Sequence, residues 1–203
     1  MCGNGKRWEL GQALMIGQEI KWHMEMACTR IEIVGSVRRA KPDVGDIELM
    51  YIGRSKEMPV QGDMFASAET NLADLAIENM ISHGVLEKRV NAVGRTAYGP
   101  QIKLMRHVKS GLPVDLFAAT DLNWWNYLVC RTGPAESNTR IACEARARGW
   151  KWTPYGAGFE SLDGARSRAV ASEREVFEFV GLPYLNPKDR TMVGDATGKE
   201  MAV

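Results

Sequence analysis

Residues 34–52 read VGSVRRAKPDVGDIELMYI, a stretch that bears on fold and chemistry at once. The alternating segment 30–34 predicts a strand, and Gly35-Ser36 breaks it with a turn. Arg38, Arg39 and Lys41 follow as a basic cluster. Eleven residues after Gly35, the segment 46–52 predicts a second strand, whose period of two sets Asp46 and Glu48 on one face and Ile47, Leu49 and Tyr51 on the other. Carboxylates among apolar strand neighbours are costly to desolvate unless paired with a base or bound to a cation. Asp115, inside the apolar run LPVDLF, poses the same question. Two answers stay open on the residues alone. One is salt bridges to nearby arginines; the other is Mg²⁺, which takes oxygen ligands and, as a pair of ions, can clamp both oxygens of a phosphoryl displacement. The Gly-Ser turn bears on the choice, because its N–H groups and hydroxyl can approach a triphosphate while Arg38 or Arg39 neutralises it.

On the N-terminal side, Leu10, Leu14, Gly17, Ile20, Met24 and Ala27 are spaced by threes and fours and predict an amphipathic helix with that face inward. On the C-terminal side a loop is expected around Pro59 and Gly62. A helix over 71–84 (NLADLAIENMISHG) follows, with Leu72, Leu75, Ala76 and Met80 inward and Gly84 as its stop. Short strands are expected at 89–93, 101–107 and 112–118. Helix signals then take over: 122–131 ends at Gly133, 136–148 ends at Gly149, and Ser172-x-x-Glu175 is a capping box opening a helix that stops at Gly181. Strands early and helices late make the class α+β.

With 26 basic and 25 acidic side chains, the 203 residues carry a net charge of +1, and 45% are hydrophobic, which fits one globular unit or two small subdomains. A charge near zero does not exclude nucleic acid, since phosphate binding depends on where charges cluster. Residues 84–110 hold six Lys and Arg against Glu87 alone, and Arg140, Arg146, Arg148 and Lys151 form a second group. Cys2, Cys28, Cys130 and Cys143 make no C-x-x-C pair, and His23, His83 and His107 stand far apart, which argues against zinc and fits a cytoplasmic protein. No apolar run approaches the roughly 20 residues of a membrane span, and no signal-peptide core opens the chain, so membrane and secreted classes are not expected. Trp124, Trp125, Trp150 and Trp152 read as packing residues, His107 as a surface group and Cys130 as a small packing residue.

The Gly-Ser turn joined to the acid pair at this spacing resembles the signature of the nucleotidyltransferase superfamily that includes DNA polymerase beta. The nearer likeness is to family X DNA polymerases, whose G-S-x-R-R, G-D-x-D and later lone Asp are matched by Gly35 to Arg39, Gly45 to Glu48, and Asp115. RTGPAESN (131–138) resembles that family's T-G-S-x-x-x-N segment, and ARGWKWTPYGAGF its following helix end and hairpin. GLPYLNPKDR (181–190) is similar to its closing G-L-P-Y-x-x-P-x-x-R.

This resemblance implies a polymerase beta-like palm with a mixed sheet over residues 1–120, a small, mostly helical thumb over 121–190, and a tail over 191–203. It implies an enzyme that adds dNMP from dNTP to a DNA 3′-hydroxyl by a two-metal mechanism, in template-directed repair or gap filling. Primer-template or gapped DNA would be the partner. Asp46 and Glu48 would bind two Mg²⁺ ions, with Mn²⁺ as a substitute, and Asp115 the ion near the primer end. Gly35, Ser36, Arg39 and Gly45 would hold the β and γ phosphates, Cys130 and Arg131 would lie at the sugar, and Gly133 and Asn138 against the nucleotide. Lys103 and Arg140 would contact DNA.

The chain departs from the family pattern at Glu48, where Asp is usual, at Pro113, where an Arg is usual, and at Pro134, where Ser is usual. Cys130-Arg131 replaces an aromatic pair, and the short stretch before Gly35 leads to the expectation of a palm and thumb alone, with a protein partner supplying the missing DNA grip. Rival readings are a nucleotidyltransferase acting on a small molecule, protein or RNA end, and a catalytically inert nucleic-acid-binding module.

Overall fold

In the computed structural model, which describes residues 6–60, 63–90 and 94–190, the elements run in chain order as follows. They are β1 (Trp8–Glu9), α1 (Leu10–Glu25), β2 (Cys28–Val34), α2 (Gly35–Arg38), β3 (Asp43–Val44), β4 (Ile47–Gly53), β5 (Ser55–Val60), β6 (Asp63–Asn71) and α3 (Leu72–Ser82). Next come β7 (Leu86–Lys88), β8 (Ile102–His107), β9 (Pro113–Ala118), α4 (Trp124–Thr132), α5 (Ala135–Ala147), β10 (Trp150–Trp152), β11 (Gly158–Ser161), β12 (Ser167–Ala169) and α6 (Glu173–Phe179). The chain divides into two units, Met1–Ile33 with Asp43–Ala119, and Val34–Pro42 with Thr120–Val203. The Gly-Ser turn and its arginines therefore group with the C-terminal unit.

The first unit is built on a sheet of order β2-β4-β9-β8-β7. β4 and β9 run parallel, while β8 is antiparallel to both β9 and β7, so the sheet is mixed and the class α+β, as expected. One face is closed by α1 and α3, whose Ile16, Ile20, Met24, Ile77 and Met80 are buried with Ile47, Leu49, Met105, Val114 and Leu116 of the sheet. Each such side chain contributes roughly 1.5–3 kcal/mol when fully buried. Gly17 permits the close approach of α1: a Cβ there would stand 3.0 Å from Ile33 Cδ1.

The inward faces differ from the expected ones in part. On α1 they share Gly17, Ile20 and Met24, but toward the N-terminus Ala13 and Ile16 are buried and Leu14 is 43% exposed. On α3 the buried set is Ala73, Ile77 and Met80, with Leu75 turned out. Its start is set by Asn71, whose side chain accepts from the N–H groups of Ala73 and Asp74. Where a loop was expected around Pro59, β5 and β6 form an antiparallel ribbon whose register shifts beside Pro59, a residue that cannot donate to the ladder; Gly62 lies outside the described residues. The strand expected at 89–93 stands earlier, at β7, and residues 91–93 lie outside the described ones, as does the expected tail.

The second unit packs α4, α5 and α6 with the three-stranded sheet β10-β11-β12 around Val129, Ile141, Ala145, Trp152, Phe159, Val170, Val176, Phe177 and Val180. Asn126, fully buried on α4, ties the hairpin down. It accepts from Trp152 Nε1 at 2.6 Å and donates to the carbonyls of Thr153 at 2.5 Å and Gly156 at 3.1 Å. Ser172 caps α6 by accepting from Glu175 N–H at 3.1 Å, as the sequence pattern predicts. Trp124 and Trp152 are buried, while Trp125 and Trp150 pack against the core from its rim.

Candidate active site

In the first unit the acids follow from strand register. Glu48 on β4 and Asp115 on β9 are direct Cα partners, and Leu104 of β8 is the next residue in that row. Asp46 precedes β4 immediately and stands two residues before Glu48. All three acids are partly exposed, while Ile47, Leu49, Val114 and Leu116 between them are buried, so the acids mark the sheet face opposite α1 and α3.

One step past β7, Arg89 enters the same row. Its backbone N–H donates to the Leu104 carbonyl at 3.0 Å, its Nε to the Met105 carbonyl at 3.1 Å, and its Nη2 to Asp115 Oδ1 at 2.5 Å. The pair is largely shielded, with side chains 23% and 14% exposed. Sequence reasoning missed Arg89 because it stood among residues read as an ordinary strand.

The donor chemistry of Asp46, Glu48 and Asp115 suits a hard cation. Their arrangement does not yet form a cage: among the described residues no group of three or more His, Cys, Asp or Glu side chains is gathered so as to hold a metal ion. Salt bridging, the structural answer left open by the sequence, is realised at Asp115.

Lys103, expected at DNA, is paired with Leu116 on the buried face of the pleat. Its ammonium lies 2.8 Å from Asp74 and donates to the Gly99 carbonyl at 3.1 Å, and the residue is 3% exposed. That face is closed by helices, and the ammonium serves an internal ion pair. His107 lies on the same face and is 5% exposed, not a surface group. Its Nδ1 is 2.9 Å from Ser110 Oγ and its Nε2 3.8 Å from Glu19, and burial holds its pKa below the usual 6.5.

In the second unit the nucleotide set is drawn together around the turn between α4 and α5. Arg39 Nη1 donates to the Thr132 carbonyl. Gly133, at φ +62°, lies beside the same guanidinium, since a Cβ there would stand 3.1 Å from Arg39 Nη1. Asn138 donates to the Cys130 carbonyl at 2.9 Å, and its own Oδ1 is a buried acceptor without a hydrogen-bond partner among the described residues. Cys130 packs on the core, and the Arg131 guanidinium lies over the rings of Tyr127 and Tyr155 at 5.1 and 5.6 Å. Arg140 is partly exposed on α5. In the first unit, Gly45 lies near Arg7, whose Nη1 is 3.4 Å from where a Cβ would be.

Arg38 has a different task from the phosphate partner that sequence reasoning allowed. It forks onto Glu173 with two bonds of 2.8 Å and donates to Thr132 Oγ1 at 2.6 Å. Glu173 also accepts from Arg190 at 3.1 Å; Arg190 is fully buried, donates to the Leu185 carbonyl and lies over the Phe177 ring. Burial alone would raise the Glu173 pKa, but the hydrogen bonds and charges of the two arginines outweigh it and hold the carboxyl below its usual value. Glu173 carried no signal beyond its place in a helix start, whereas Arg190 closes the motif at 181–190.

The mixed sheet, covered by α1 and α3 and with the acid row on its other face, is an α+β architecture similar in fold to polymerase beta. Residues 127–191 match the family model described as DNA polymerase beta thumb. The chain is 25% identical over 188 residues to DNA polymerase/3'-5' exonuclease PolX of Bacillus subtilis (strain 168), a match covering 91% of this chain and 29% of that protein. The crystal structure of Leishmania infantum polymerase beta in a ternary P/T complex superposes with a TM-score of 0.68 at 19% identity, covering 91% of this chain and 77% of that one. The chain is thus similar to family X polymerases, with residues 127–191 matching the polymerase beta thumb model, and it spans 29% of the length of the curated relative it matches.

Proposed function

We propose that this chain is a DNA nucleotidyltransferase, a DNA-directed polymerase that adds dNMP from dNTP to a DNA 3′-hydroxyl on primer-template or gapped DNA, in repair or gap filling. The observation that carries the reading is the row pairing Glu48 with Asp115, with Asp46 two residues ahead, in a chain similar to family X polymerases. In this reading residues 1–120 serve as palm, 121–190 as thumb and 191–203 as tail, and the protein works in the cytoplasm, with a protein partner adding DNA grip.

Family X polymerases generally use divalent metals, and we assign Asp46, Glu48 and Asp115 as the groups that would hold Mg²⁺, or Mn²⁺ in its place. Such ions, when bound, neutralise phosphoryl oxygens during transfer. The chain's own residues hold and orient the nucleotide. Gly35, Ser36, Gly45 and Arg39 take the phosphates, and Arg39 is preset by its bond to the Thr132 carbonyl. Gly133 leaves room beside that guanidinium, Asn138 offers the nucleotide its buried acceptor, and Cys130 with Arg131 lies at the sugar. Arg140 contacts DNA phosphate from α5.

The test is extension of a labelled primer on gapped, blunt and single-stranded DNA with each deoxynucleoside triphosphate and Mg²⁺. Template-matched addition is expected on gapped DNA. Labelling of an RNA end, a protein or a small acceptor, with no DNA extended, would overturn the reading.

A further inference from the structure

Glu48 and Asp115 stand in register with Asp46 two residues ahead of Glu48, yet no ion-holding group is assembled among the described residues, and Asp115 is engaged by Arg89. We propose that Arg89 is the exchangeable counter-ion of Asp115: it holds the carboxylate in the ion-free site and competes with the divalent cation for it. The inference rests on the reading of Asp46, Glu48 and Asp115 as metal ligands and adds a residue that regulates their assembly.

The geometry favours this role over that of a simple surface bridge. Arg89 is anchored twice to β8, by its backbone at Leu104 and by its Nε at Met105, so one edge of the guanidinium is fixed. The other edge reaches across the Leu104 position of the row to Asp115 Oδ1 at 2.5 Å. Glu48 is the direct register partner of Asp115 on the other side. Asp115 therefore stands between a like charge and a fixed positive charge, and the attraction of Arg89 draws its carboxylate along the row toward β7. A divalent cation entering between Glu48 and Asp115 has to displace or share that charge-assisted bond, and meets the repulsion of the guanidinium as well. Arg89 thus weakens ion binding while it stabilises the ion-free protein.

The experiment measures Mn²⁺ binding by electron paramagnetic resonance, together with melting temperature in EDTA and in Mn²⁺. The proteins are wild-type, Arg89→Gln, Arg89→Lys and Asp115→Asn. Arg89→Gln keeps a donor for Met105 but removes the charge, and its Mn²⁺ Kd should fall by about tenfold, the scale of removing one elementary charge beside a partly screened divalent ion. Its melting temperature should drop in EDTA and recover more in Mn²⁺ than that of wild-type. Arg89→Lys should lie between the two, which separates charge from loss of packing. Unchanged or weaker Mn²⁺ binding in Arg89→Gln, with wild-type binding intact and lost in Asp115→Asn, would overturn the counter-ion role and leave the ligand assignment standing. Equal Mn²⁺ binding in wild-type and Asp115→Asn, or none in any of the proteins, would overturn both.

Discussion

The two units each solve the problem of a shielded carboxylate, in opposite proportions. On the sheet of the first, Glu48 and Asp115 share a row with Arg89, and the three named groups sum to one negative charge. In the second, Glu173 is held by Arg38 and Arg190, and the three sum to one positive charge. The second arrangement surrounds its acid with three bonds from two guanidinium groups and gives Glu173 a fixed place in the packing. The first joins two carboxylates of one strand row to a guanidinium that reaches Asp115. In the proposed reading the two clusters divide labour: the arginine-rich one holds its unit together, and the acid row serves the chemistry.

The sharpest way to break this contrast is to neutralise an acid in each place. Asp115→Asn and Glu48→Gln should each lower primer extension by about 10²- to 10³-fold, the scale for removing a group that stabilises transition-state charge, with circular dichroism unchanged. Glu48→Asp should remain active, since it still offers a carboxylate with a shorter reach. An Asp115→Asn protein with wild-type turnover would place the first cluster in the same purely structural class as the second.

Glu173→Gln should show the reverse pattern. It leaves Arg38 and Arg190 around a neutral amide in a buried position, and breaking a buried ion pair in this way costs about 3–5 kcal/mol. Urea melts would register the loss, and hydrogen exchange should rise along α6 and through residues 181–190. A Glu173→Gln protein as stable as wild-type would mean that the arginines find other partners.

The sequence made the first cluster legible and left the second nearly invisible. Period two places Asp46 and Glu48 on one face without any long-range information, and the Gly-Ser turn supplies the context. Pairs far apart in sequence have no such local mark: Arg89 meets Asp115 across 26 residues and Arg38 meets Glu173 across 135. The face of Lys103 was hidden for another reason. Residues 102–107, IKLMRH, alternate too weakly to say which set points inward, and only pairing with β9 puts Lys103, Met105 and His107 on the helix-covered side. The ribbon of β5 and β6 was masked by Pro59, which argues against a strand except at an edge.

The pleat phase makes its own prediction about DNA. Arg140→Ala should reduce the slope of log affinity against log salt by about 0.9, as expected for one lost phosphate contact on duplex DNA. Lys103→Met should leave that slope unchanged, because its ammonium is held internally by Asp74. A reduced slope in Lys103→Met would show that the buried ion pair opens on DNA.

The smallest effect is in pH, and it separates the units by their titrating groups. His107 has a folded pKa below 6.5 because burial disfavours its charged form; Glu19 opposes the shift and Lys109 adds to it. Above pH 6.5 the imidazole is neutral in both folded and unfolded chains, so it adds no slope. As pH falls below that value the unfolded chain takes up a proton that the folded one resists, and stability declines until the folded pKa is passed. Glu173 has a folded pKa below 4.5, so its contribution is intact above that pH and is lost only as pH falls further, through the folded value. Urea melts across this range should therefore show a first decline between pH 6.5 and 4.5 that His107→Gln flattens, and a second below 4.5 that Glu173→Gln flattens. If His107→Gln leaves the upper decline untouched, the imidazole is protonated in the folded chain and its 3.8 Å approach to Glu19 is an ion pair that outweighs burial.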